Sequence, residues 1–164
     1  MDAITTARLI GLHPVLVKRY IALDQQVEAN GIRLRITQGL RTYAQEDALY
    51  AQGRTLPGKI VTEAQGGWSA HNFGYALDAV PDDPEFPAWQ PDWNSLDPRW
   101  QKVLDLATSC GLAEGARWRT FPDAPHFYLQ ECPSTPSDAM REAFTNGGLS
   151  AVTALIDALI GEAT

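Results

Sequence analysis

Trp68-Ser69-Ala70-His71-Asn72-Phe73-Gly74-Tyr75-Ala76-Leu77-Asp78 places one imidazole and one carboxylate on either side of a glycine, at the mouth of an apolar strand. Mixed nitrogen and oxygen donors suit a borderline cation such as zinc, whose catalytic sites use three protein ligands and keep a further position open. His71 and Asp78 supply two, so a third is needed. The other histidine-bearing stretch, Phe121-Pro122-Asp123-Ala124-Pro125-His126-Phe127-Tyr128-Leu129, offers His126 as that ligand. It also sets Asp123 just ahead of His126, where a carboxylate is free to take a proton from an attacking water. The chemistry this combination points to is hydrolysis.

Period-two alternation supports the pairing. From Tyr75 onward it puts Ala76, Asp78 and Val80 on one strand face and Tyr75, Leu77 and Ala79 on the other. After Pro125 it puts His126, Tyr128 and Gln130 on one face and Phe127 and Leu129 on the other. If the two strands are antiparallel neighbours, Asp78 and His126 share a face while Phe127 and Leu129 point into the core.

Outward from these stretches, residues 14–30 carry Val15, Leu16, Val17, Tyr20, Ile21, Leu23 and Val27 close to helical spacing, with Gly31 as a stop. His13 precedes this helix as a surface or capping residue. Residues 32–38 alternate as a half-buried strand ending at Gly39. Thr42 caps a short helix that has Leu49 and Tyr50 inward and exits at Gly53. Residues 54–67 form a loop, and the proline-rich residues 81–98 form a surface excursion in which Trp89 and Trp93 either wall a groove or cover the sheet. A helix opens at Pro98 and runs to about Cys110, and residues 116–120 form a short strand or extended segment with Trp118. Beyond the linker 133–137 come a helix over 138–145, a break at Gly147-Gly148, and a last helix over 149–160. The fold class expected is α+β: a small, mainly antiparallel sheet with helices on one face and the metal on the other. Residues 1–132 form its catalytic part, and residues 133–164 form a helical extension packed on it within a single domain.

The 164 residues are 45% hydrophobic and 20% charged, the balance of a soluble globular protein. A net charge of -7 without a basic stripe argues against nucleic acid as a partner. No segment is expected to approach the length of a membrane span, and Met1-Asp2-Ala3-Ile4-Thr5-Thr6 lacks the basic-then-apolar run of a secretory signal, so a cytoplasmic protein without stable membrane insertion is expected. Cys110 and Cys132 are not spaced as a zinc pair and read as reduced, packed thiols.

The motifs resemble one family, the zinc D-Ala-D-Ala carboxypeptidases together with the phage L-alanyl-D-glutamate endolysins. Ser69, His71, Gly74, Ala76 and Asp78 match its pattern Ser-x-His-x-x-Gly-x-Ala-x-Asp in full, and Asp123 with His126 matches the later acid-x-x-His. Upstream, Gly39-Leu40-Arg41-Thr42, Gln45, Leu49-Tyr50 and Gln52-Gly53-Arg54-Thr55 are similar to the family as well. The resemblance implies a hedgehog/DD-peptidase-like fold, one zinc ion on His71, Asp78 and His126, and Asp123 as general base. It gives Arg41, which as an arginine at a strand end would otherwise need no explanation, the role of holding the oxyanion or a substrate carboxylate. Ser69 would lie beside the ligands or face substrate. Trp118 and Tyr128 would line the groove, with core packing the alternative for Trp118.

The implied protein is a monomeric phage endolysin that cuts the L-alanyl-D-glutamate bond of the peptidoglycan stem peptide, waiting in the host cytoplasm until released to the wall. An aspartate at position 123 resembles the endopeptidase branch. The alternatives are a D,D- or L,D-carboxypeptidase trimming stem peptides, and a non-catalytic zinc-bearing binding module of the same fold.

Overall fold

The computed structural model describes residues 1–82 and 88–162. Its centre is a four-stranded, fully antiparallel sheet of β1 (Leu34–Gln38), β2 (Ala76–Pro81), β3 (Leu112–Gly115) and β4 (Asp123–Leu129), in the order β1-β2-β4-β3. Helices α1 (Ala3–Arg8), α2 (Pro14–Ala29), α3 (Tyr43–Ala51), α4 (Pro98–Ser109) and α5 (Asp138–Glu162) surround it, and a 3₁₀ turn spans Ala70–Phe73.

One sheet face is the core. Leu34, Ile36, Leu77, Ala79, Leu112, Phe127 and Leu129 are buried there against Leu16, Tyr20, Leu23 and Val27 of α2 and Val103, Leu104 and Ala107 of α4. The expected α+β layering holds, because each strand's alternate residues face the helices and leave the opposite face for the site. In the register Leu77 opposes Phe127 and Asp78 opposes His126. The two prospective ligands are therefore cross-strand neighbours on the face turned away from α2 and α4.

Several local expectations need correction. Residues 116–120 are turn and bend rather than strand; the strand lies earlier, where Leu112 opposes Leu129 and Ala113 opposes Tyr128. β4 begins at Asp123 instead of after Pro125, and the register slips between Glu114 and Gly115. Such a bulge accepts a proline, which has no N–H for the ladder, and re-aims the residues beside it.

Helix α1 has no counterpart among the elements expected from the sequence. Asp2 caps it by accepting from Thr5 N at 2.7 Å and ion-pairs with Arg35, while the Arg8 guanidinium donates to the Ile36 carbonyl. His13 caps α2 through Nδ1, which accepts from Val15 N, but it is buried instead of on the surface because α5 lies across it.

Helix α5 also corrects an expectation, since Asp138–Gly161 is long and apolar enough to cross a membrane. Two features set it apart from a continuous span. Gly148 breaks it at φ 64, ψ -157, and Met140, Val152 and Ile156 are buried in the same core as the sheet. Of the proline-rich excursion, residues 83–87 lie outside the described residues. In the described part the Arg35 guanidinium stands 4.0 Å over the Trp89 ring at the sheet edge, and Trp93 lines the cleft described next. Both cysteines are free thiols, and burial pushes the Cys132 thiol up to about 12.

Candidate active site

The 3₁₀ turn positions the first ligand. Ser69 caps it, its Oγ accepting from His71 N at 3.4 Å, and Gly74 ends it in the left-handed region at φ 72. A Cβ at Gly74 would lie 2.9 Å from the Gly11 carbonyl oxygen, and His13 N donates to Gly74 O at 2.8 Å, so only glycine fits this turn into β2.

His71 Nδ1 lies 2.9 Å from the Gly39 carbonyl oxygen. That acceptor fixes the proton on Nδ1 and leaves the Nε2 lone pair free to bind a cation. Gly39 itself is constrained, because a Cβ there would come within 2.1 Å of the Arg8 carbonyl oxygen at the end of α1.

Three donor atoms converge. His71 Nε2 is 3.1 Å from Asp78 Oδ1 and 3.1 Å from His126 Nδ1, and His126 Nδ1 is 3.3 Å from Asp78 Oδ1. A tetrahedron with metal–ligand bonds of about 2.0–2.1 Å has edges of about 3.3–3.4 Å, so the separations match one face of a zinc coordination shell. His71 and His126 are buried and Asp78 is nearly so. Burial alone would raise the Asp78 carboxyl, but the adjoining His71 and His126 imidazoles outweigh burial and hold it far below the usual carboxylate range. The carboxylate is thus the anionic ligand of a group able to hold a metal ion. The other nitrogen of His126, Nε2, is buried and has no hydrogen-bond partner among the described residues.

Arg41 sits beside this group. Its NH1 donates to Glu46 Oε2 at 2.8 Å, and NH2 lies 3.5 Å from Asp78 Oδ2. Glu46 is fully buried and its other oxygen accepts from Thr62 Oγ1 at 3.3 Å, while Asn72 Nδ2 donates to the Arg41 carbonyl at 3.0 Å. The guanidinium is therefore fixed from both ends, and its Nε is buried without a partner among the described residues. Glu46 is a site residue that the sequence motifs do not single out. One signal was present, since Glu46 lies three and four residues before Leu49 and Tyr50 and so shares their helix face.

Asp123 reaches the same cleft from the start of β4. Burial raises its carboxyl above the ordinary value, and the charge of Asp78 raises it further against His126, His71 and Arg41. Two backbone features set its position. Phe121 is held at φ 56, an unusual conformation for a bulky residue that costs about 1–2 kcal/mol, and it reverses the chain just before Pro122. Gly115 faces Asp123 across the bulge, and a Cβ there would meet Asp123 O at 2.7 Å and the His126 Cβ at 3.2 Å.

The cleft encloses about 1130 Å³, and His71, Asp78, His126, Arg41, Asp123, Ser69 and Trp118 all line it. The Trp118 ring leans on His126 with centroids 5.1 Å apart. Tyr128 is not among the lining residues and instead packs behind, 5.8 Å from the His126 ring and 6.2 Å from Trp118. The C-terminal extension also reaches the site, through Ser134 and Thr135 in the cleft wall, Arg141 over the Trp68 ring at 4.0 Å, and Phe144 stacked on Tyr43 at 5.0 Å and edge-on to Phe73.

Residues 62–129, which hold all three donors and Asp123, match the sequence pattern of a family described as D-alanyl-D-alanine carboxypeptidase. The chain is 36% identical over 122 residues to the peptidoglycan L-alanyl-D-glutamate endopeptidase CwlK of Bacillus subtilis, spanning 72% of this chain and 73% of that one. Among solved structures the fold is similar to that of the L-Ala D-Glu endopeptidase ChiX of Serratia marcescens, with TM-score 0.55, 22% identity and coverage of 79% of this chain and 88% of the other. It is similar also to the LD-carboxypeptidase LdcB, with TM-score 0.58, 12% identity and coverage of 82% and 64%. These last two likenesses concern the fold, whereas the relative from Bacillus subtilis shares enough sequence over enough of its length to decide membership: the chain belongs to the peptidase family of the D-alanyl-D-alanine carboxypeptidases and L-alanyl-D-glutamate endopeptidases.

Proposed function

We propose that the protein is a zinc-dependent endopeptidase that hydrolyses the L-alanyl-D-glutamate bond of peptidoglycan stem peptides. The observation that carries this reading is the convergence of His71 Nε2, Asp78 Oδ1 and His126 Nδ1 within 3.1–3.3 Å of one another, in a cleft that also holds Asp123 and Arg41. The bond itself is inferred from the activity of the 36% identical relative.

Zinc on His71, Asp78 and His126 would polarise the scissile carbonyl and bring the pKa of water near 7. Asp123 accepts the proton of the attacking water as its oxygen bonds to the carbonyl carbon. It then returns that proton to the departing amine as the C–N bond breaks. Its desolvated carboxylate is a stronger base than one in water, although a cation in the ligand group pulls the other way. Arg41, anchored by Glu46, turns the donors not engaged by Glu46 and Asp78 to the oxyanion. Ser69 and Trp118 face the substrate, and Tyr128 supports Trp118 and His126 from behind.

The proposal extends to a monomeric phage lysin that reaches the wall from the host cytoplasm and does not insert in the membrane. For the last point the support is that α5 is broken at Gly148 and seats Met140, Val152 and Ile156 in the core.

Mass analysis of muropeptides after digestion names the bond. New D-glutamyl amino termini are expected, whereas loss of a terminal D-alanine alone would make the enzyme a carboxypeptidase. Asp123→Ala should keep its zinc and lose about 10²- to 10⁴-fold in kcat, the range for a general base. A variant with full activity places the base elsewhere.

A further inference from the structure

The cleft is lined by three arginines, Arg41, Arg117 and Arg119. Two are engaged. Arg41 is held by Glu46 at 2.8 Å and Asp78 at 3.5 Å, and Arg117 by Glu114 at 3.2 Å and Asp105 at 3.7 Å. Arg119 is exposed and, among the described residues, has no ion-pair partner. It lies on the β3–β4 loop between Trp118, whose ring leans on His126, and the strained Phe121 that delivers Asp123.

Building on the bond assigned above, we propose that Arg119 is the receptor for the free carboxylate of the glutamyl residue on the leaving side of the scissile bond. In such a peptide the amino group of D-glutamate is acylated by alanine and the chain continues through its side-chain carboxyl. The α-carboxylate then hangs one carbon from the departing nitrogen. Asp123 must meet that nitrogen to return the proton, so the carboxylate emerges beside the loop that carries both Asp123 and Arg119. A protein of net charge -7 repels an acidic peptide at a distance, and an unengaged guanidinium at the cleft rim offsets this locally. A planar fork of donors also suits a carboxylate better than the corresponding amide.

The test uses two peptides, L-Ala-γ-D-Glu-L-Lys and its counterpart with the α-carboxyl amidated, with kcat/KM measured for the zinc-loaded wild type, Arg119→Ala and Arg119→Glu. A charge-assisted hydrogen bond corresponds to a wild-type preference for the acid of about tenfold to a hundredfold. Arg119→Ala should reduce that preference to within about threefold, and Arg119→Glu should reverse it in favour of the amide, because like charges then face each other. A purely structural role for the loop would lower both substrates together and leave the ratio at its wild-type value, which overturns the assignment of Arg119 alone. If the wild type cuts the alanyl-glutamyl bond of neither peptide, the bond assignment and the carboxylate receptor fall together.

Discussion

Glu46 has no side-chain surface in contact with solvent, and Arg41, its partner at 2.8 Å, keeps only 10% of its own. Replacing Glu46 by alanine leaves a guanidinium buried with one acidic neighbour, Asp78, at 3.5 Å. Removing one member of a buried pair costs about 3–5 kcal/mol, because the other charge loses its compensation. Since Asp78 remains close, the lower end applies, about 3 kcal/mol. For a chain of this length that lowers Tm by about 6–12 °C. Glu46→Gln, which keeps an acceptor but not the charge, should fall about half as far.

The same change reaches the site. Without its anchor, Arg41 turns toward Asp78 and competes for the carboxylate that serves as ligand, so zinc affinity should fall about tenfold and kcat with it. Calorimetry, metal content after dialysis against a graded chelator, and kcat on wall fragments measure the three effects. The double variant Arg41→Met/Glu46→Leu separates stability from function, since well-packed apolar replacements of a buried pair are often neutral or stabilising. It should melt near the wild type and yet be almost inactive. A Glu46→Ala protein that melts within a degree of wild type and keeps its kcat would refute the reasoning.

Two further outcomes are expected. Gly39→Ala forces a Cβ to within 2.1 Å of the Arg8 carbonyl oxygen, displacing the acceptor of His71 Nδ1; titration with zinc should show affinity weakened about 10- to 100-fold, and unchanged affinity would mean that Gly39 does not orient the ligand. Burial lowers the pKa of His13 despite Asp157 Oδ1 at 3.3 Å, so below about pH 6.5 the unfolded chain takes up a proton that the folded protein resists, and stability falls as pH falls. His13→Asn, which can still cap α2, should flatten that acid-side decline in denaturant titrations, and parallel curves for the two proteins would exclude His13 as its source.

What was legible in the sequence was whatever periodicity and local chemistry determine. The alternation through Asp78 and through His126 forces the two side chains onto one face once the strands pair, and the register opposes them directly. Thr42 caps its helix as expected, and the structure adds Gln45 as its reciprocal partner. Glu46 was missed for the opposite reason. A glutamate in the first turn of a helix is ordinarily solvated; the face it shares with Leu49 and Tyr50 points inward, but the groups that enclose it, Arg41 and Thr62, lie outside its helix.

The same division holds for the glycines. Gly74 announced itself as a turn within the motif, but the demand for glycine at positions 39 and 115 comes from the Arg8 carbonyl and the Asp123 carbonyl, segments distant in sequence or across a bulge. Strand β3 was misplaced because its four residues carry too little alternation to outweigh the aromatic Trp118 nearby, and its position is fixed instead by pairing with β4. The ligands could therefore be read from local pattern, whereas the groups that aim them could not. Each of those groups makes its decisive contact across the fold: Gly39 with α1, Glu46 with Arg41 and Thr62, and Gly115 with β4. Substitutions at these three positions should accordingly disturb the site while leaving every ligand in the sequence intact.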